Sequence, residues 1–165
     1  MAIKLFFTLI LLYILTSISI EDLKTMLISE NKLTIFAISG FIYLICLGLT
    51  NEKVHSIDLI INNIFFMIII FLIMYSISHI SYIGYKIIGV NSLGIGDIKL
   101  SSISTIWLGI ELSFLSLSIS FLLSAIYSLH GKVTKKFRPF HQYPFAPFVS
   151  IGIFCSWIID KIQTF

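Results

Sequence analysis

DLIINNIFFMIIIFLIMYSISHIS, residues Asp58–Ser81, carries no Lys, Arg, Asp or Glu after its first residue. A helix needs roughly 20 mostly apolar residues to cross a bilayer, with about 17–25 as the working range, and this stretch meets that length. The rest of the chain follows the same pattern. Of its 165 residues 58% are hydrophobic and 12% charged, and the mean hydropathy is +1.03. Soluble domains run about 25% charged, so the composition excludes an ordinary soluble protein. It points to an all-α polytopic membrane protein forming a single domain over 1–165.

Working outward, further candidate spans are Ile3–Ile20, Leu33–Thr50, Ile98–Ile110, Glu111–Leu129 and Ala146–Ile162, about six transmembrane helices in all. The fourth is short, and Gly109-Ile110-Glu111 must turn tightly between it and the fifth; five helices is the alternative count. Lys4 before the apolar run Leu5–Ile20 resembles the start of a secretory signal. No Ala-x-Ala cleavage site follows, and Glu21-Asp22-Leu23-Lys24 comes at once, so a retained first helix is expected.

Six spans put Lys24, Lys32, Lys86, Lys99, Lys132, Lys135, Lys136 and Arg138 on one side, against Lys4, Lys53 and Lys161 on the other. The positive-inside rule makes the first set cytoplasmic and turns both termini outward. The same topology brings Asp22, which closes the first span, and Asp97, which opens the fourth, to one depth on the cytoplasmic side.

Gly94-Ile95-Gly96-Asp97-Ile98-Lys99-Leu100 sets Asp97 behind two glycines. A carboxylate at membrane depth costs roughly 2.5–3.5 kcal/mol on insertion scales, which makes each acid a functional candidate. Two carboxylates held close cannot both ionise easily and share one proton. The ionised member can take a proton from an attacking water while the other donates to a carbonyl oxygen, which suits amide hydrolysis. Gly94 and Gly96 are read as permitting positive φ and leaving room for a peptide to approach Asp97 in extended form. Lys24 and Lys99 each lie two residues beyond an acid, where they either tune the pair or bind lipid headgroups as interfacial lysines.

Three segments carry a family resemblance. Asp22-Leu23-Lys24-Thr25-Met26-Leu27-Ile28-Ser29 resembles the first aspartate motif of the type IV prepilin peptidases, and Gly94–Leu100 resembles the second. Pro144-Phe145-Ala146-Pro147-Phe148 is similar to the Pro-Phe-x-Pro-Phe lead-in to their last helix. The resemblance implies a GxGD-type intramembrane aspartyl endopeptidase of the inner cell membrane, with Asp22 and Asp97 as its catalytic pair. Its substrates would be type IV prepilins or pseudopilins of a pilus or secretion system, relieved of a basic leader at the cytoplasmic face. Many members have Ile-Pro where this chain has Ile28-Ser29, which implies a softer helix break after Asp22. The larger bifunctional members carry an insert with paired CxxC motifs and methylate the new pilin N-terminus. This chain has no CxxC, so peptidase activity without methyltransferase activity is expected, as in the short Flp-pilus and preflagellin peptidases.

The remaining polar residues receive plainer readings. Glu21 is taken as a solvated neighbour of Asp22, and Asp58, Glu111 and Asp160 as outer-face caps or helix-dipole partners. His55, His79, His130 and His141 show no ligand spacing, and Cys46 and Cys155 stand alone, so no metal or other cofactor is expected. The Lys132–Arg138 cluster reads as a topology determinant touching anionic headgroups. Phe137, Phe140, Tyr143, Phe145 and Phe148 read as an interfacial aromatic belt. The serines of the later spans suit close helix packing. The bilayer and a peptide substrate are the expected partners, with no nucleic acid and the oligomeric state open. Two rival readings are a carrier, whose sites lie nearer the midplane with internal repeats not visible here, and a non-catalytic subunit of a pilus or secretion machine.

Overall fold

The computed structural model describes residues 2–50, 56–86, 93–134 and 143–163. Within them the elements are α1 (Ala2–Thr25), α2 (Glu30–Thr50), α3 (Ser56–Lys86), α4 (Ile95–Val133) and α5 (Ala146–Gln163), with no strand among the described residues. By length and composition, α1 to α4 can each cross a membrane. Lys53, His55, Lys135, Lys136, Phe137, Arg138, Phe140 and His141 lie outside the described residues.

α4 has 39 residues. At about 1.5 Å per residue a straight helix of that length would span nearly twice a bilayer core. It does not run straight. Gly109 takes φ 72° and ψ −179°, a backbone conformation that only glycine adopts freely. The contacts show that the chain reverses there. On the 95–108 arm, Asp97 lies within electrostatic reach of Asp22, which bonds Ala146, and Trp107 meets Trp157 at 5.7 Å between ring centroids. That arm therefore runs in the same sense as α5. On the 110–133 arm, Ser116 and Ser120 face Gly152, while Tyr127 faces Tyr143 and Phe148, so this arm runs against α5. The tight connection expected at Gly109-Ile110-Glu111 is this hairpin tip.

The core gathers on Trp107. Its ring stacks on Phe36 and Tyr43 and meets Phe7 and Trp157 edge-on, and its Nε1–H donates to the Phe36 carbonyl at 3.0 Å. Gly40 admits the indole: a Cβ there would sit 2.7 Å from Nε1. α3 packs through a smaller cluster of Ile70, Met74, Ile98 and Leu117. Its other face, with Ile57, Ile61, Phe65, Ile68 and Leu72, is exposed, an apolar surface that lipid would cover.

Between the 110–133 arm and α5 the seam is made of small residues. Ser113, Ser116, Ser120 and Ser124 are all buried, and Ser124 Oγ is 2.8 Å from the Tyr143 hydroxyl. The aromatic-belt reading needs correction here. Phe145 is buried beside Phe121, and Tyr143 and Phe148 are half-buried against Tyr127. These rings pack helix to helix because the N-terminal approach to α5 lies inside the bundle.

A Cβ at Gly152 would run into Ser120 Oγ and the Ser116 carbonyl oxygen. Gly152→Ala should force the helices apart and cost about 1–3 kcal/mol, as overpacking does. A lower thermal midpoint in detergent is the expected result; an unchanged midpoint would show that the seam is not closed at this point.

Candidate active site

Phe7, Leu11, Ile14 and Ile18 are buried at helical spacing along α1, and Asp22 continues the same stripe. The sequence reading ends the first span at Ile20, but α1 runs on to Thr25, so Asp22 lies within the helix and faces the bundle interior. It is 3% exposed. Its burial is matched by a donor: the Ala146 N–H gives a hydrogen bond to Asp22 Oδ2 at 3.0 Å. Ala146 opens α5, where the first amide N–H groups have no partner within the helix. Pro147 has no N–H to satisfy, and the positive end of the helix dipole favours an anion there. The Pro-Phe-Ala-Pro-Phe segment thus starts a helix and aims one amide at Asp22.

Asp97 sits in the first turn of α4, three residues after the N-cap Gly94. The Gly94 N–H reaches back to its carboxylate, one half of a capping box. The other oxygen, Oδ1, is buried and has no hydrogen-bond partner among the described residues. Asp22 is close enough for its charge to act on Asp97. Two acids 75 positions apart thus lie at the same end of the bundle, one satisfied by an amide and one with an oxygen left over.

The glycines work differently from expectation. Gly94 has φ −66° and ψ 144°, ordinary extended backbone, and Gly96 is helical; among the described residues Gly109 is the glycine with positive φ. What Gly94 and Gly96 supply is space. A Cβ on Gly94 would lie 3.1 Å from Asp97 Oδ2, and one on Gly96 would lie 3.2 Å from Ile28 Cβ. The turn between α1 and α2 therefore rests directly on the first turn of α4.

That turn is pinned. Met26 takes φ 53°, and its N–H bonds the Asp22 carbonyl at 2.9 Å. The Ser29 N–H donates to Glu21 Oε2 at 3.3 Å, and Lys32 Nζ lies 3.4 Å from the same oxygen while bonding the Ser17 carbonyl at 2.8 Å. Glu21 is thus no solvated bystander; it closes the turn. Where a softer break was expected from Ser29 in place of proline, the turn is held through the Ser29 N–H, which a proline would lack. Helical spacing could not reveal this role, since the bond closes across a turn.

Neither lysine singled out touches the acids. Lys24 is exposed and stands about 200° around α1 from Asp22. Lys99 pairs with Glu30, tying the first turn of α4 to the first turn of α2. No group of three or more His, Cys, Asp or Glu side chains among the described residues is placed to hold a metal ion.

A family model described as the type IV leader peptidase family matches residues 9–129. The chain belongs to the type IV leader peptidase family. No curated protein and no solved structure gives a significant match. The matched residues include both acids and all of α4 but its last four residues. The amide that binds Asp22 lies beyond them in this leader peptidase, on α5.

Removing the Glu21 carboxylate should free the turn. In Glu21→Ala, hydrogen exchange of the Ser29 amide should accelerate about fivefold, the worth of one net hydrogen bond. Unchanged exchange would show that another contact holds the turn.

Proposed function

We propose that this membrane peptidase is an aspartyl endopeptidase whose catalytic pair is Asp22 and Asp97. The observation that supports this reading is the placement of both acids at one buried end of the bundle, within electrostatic reach of one another, in a chain of the leader peptidase family. The proposed substrate is a type IV prepilin or pseudopilin, cut between its basic leader and its apolar helix. The topology that fits has six passes, with the 95–108 and 110–133 arms as separate spans, a cytoplasmic site and both termini outside. Its support is the excess of basic residues on the side of the acids. Methyl transfer is not part of the proposal, since the chain has no CxxC motif.

The chemistry follows from one proton shared by two carboxylates. Asp22, bonded to the Ala146 amide at the head of α5, is the member best placed to stay ionised. Asp97, with Oδ1 unpartnered, is the member placed to hold the proton and offer it. A water between them gives its proton to Asp22 while its oxygen bonds the scissile carbonyl carbon. The carbonyl oxygen takes the proton from Asp97, and a tetrahedral diol forms. The C–N bond then breaks as the leaving nitrogen receives a proton from Asp22, and the diol oxygen returns its proton to Asp97. Both carboxylates end as they began.

Co-expression with a prepilin tests the assignment. Asp22→Ala and Asp97→Ala, each at normal membrane levels, should lower leader removal by on the order of 10²–10⁴-fold. Full cleavage in either variant would refute the pair. A shared proton also requires a bell-shaped pH profile, because activity is lost at low pH when both acids are protonated and at high pH when both are ionised. A profile with a single limb across the range of stability would contradict proton sharing.

A further inference from the structure

On the side of α1 away from Asp22, a groove of about 400 Å³ opens between α1 and the start of α2. Its walls include Tyr13, Ser17, Ile20, Glu21, Lys24 and Lys32. Two lysines against one glutamate leave it one net positive charge. Lys32 is engaged with Ser17 and Glu21, whereas Lys24 makes no ion pair among the described residues. The groove lies on the exposed stripe of α1, where Leu5, Leu9, Tyr13 and Ile20 all face outward, Tyr13 at 75% exposure. Its apolar wall, Tyr13 and Ile20, lies toward the middle of α1, Lys32 Nζ sits at the Ser17 carbonyl between them, and Lys24 lies at the helix end.

We propose that this groove binds the phosphate of an anionic phospholipid. A phospholipid carries its charge above its acyl chains, and the groove presents Lys24 above Ile20 and Tyr13 in the same order. From Tyr13 to Lys24 is about 16 Å along the helix, room for a headgroup and the upper part of one chain. A zwitterionic lipid brings a second cation beside Lys24 and Lys32, which the groove's positive charge disfavours. The bound phosphate would draw on Lys32, the partner of the Glu21 that holds the turn resting on Gly96. The lipid is thereby one contact from the turn over Asp97.

Lipid binding to the full chain, with no peptidase readout, tests this separately from the proposed activity. Native mass spectrometry of the detergent-solubilised protein should show one phosphatidylglycerol retained in preference to phosphatidylcholine. Lys24→Gln should cut that preference about fivefold, the effect of one lysine at a membrane surface, and Lys24→Arg should restore it. Lys24 touches nothing that the fold needs, so this variant tests the site without unfolding it. An unaltered preference in Lys24→Gln, or in the double variant with Lys32→Gln, would overturn the proposal. So would displacement of the lipid by an equal concentration of inorganic phosphate, which would make the groove a small-anion site.

Discussion

The hydrogen bond from the Ala146 amide to Asp22 joins residues 124 positions apart and docks the start of α5 on α1. It answers two needs at once. A buried carboxylate must find a donor or give up its charge, and the first amides of a helix must find acceptors. With α5 docked on α1 in this way, the hairpin of α4 has one place to go. Its 95–108 arm fills the space beside α1 and α2, centred on Trp107, and its 110–133 arm returns along α5. Asp97 arrives at the level of Asp22 because the arm that carries it runs parallel to α5 and starts where α5 starts.

Around the acids the sequence arranges fixed geometry on either side. Gly94 and Gly96 remove the side chains that would hold Asp97 and Ile28 away, and Lys99 ties α4 to Glu30 at the head of α2. Glu21, adjacent to Asp22 in sequence, faces the opposite task and closes the turn through Ser29 and Lys32. Neighbouring acids on one helix thus serve different purposes because about 100° separates their side chains. One looks into the bundle, the other toward the turn.

Much of this could be read in the chain before its fold. The apolar runs identify the helices, Asp22 and Asp97 stand out as acids at the ends of such runs, and Gly109 marks the tight turn, where no other residue adopts its backbone angles without strain. The prolines at 144 and 147 mark the start of α5. What was hidden depends on contacts between distant segments. Spacing along one helix could not show that Glu21 bonds Ser29, that Lys99 chooses Glu30, or that the rings at 143–148 pack against the second arm of α4. The two glycines before Asp97 were legible as important, but the reason is close approach and not handedness, which a sequence cannot distinguish.

The account depends on Asp22 and Asp97 facing one another across the end of the bundle. Asp22→Cys/Asp97→Cys in a Cys46→Ala/Cys155→Ala background, treated in membranes with a short bifunctional thiol reagent, measures that directly. An intramolecular cross-link is predicted, formed as readily as in the control pair Asp22→Cys/Ala146→Cys. A cross-linked control beside an unlinked 22–97 pair would contradict the account.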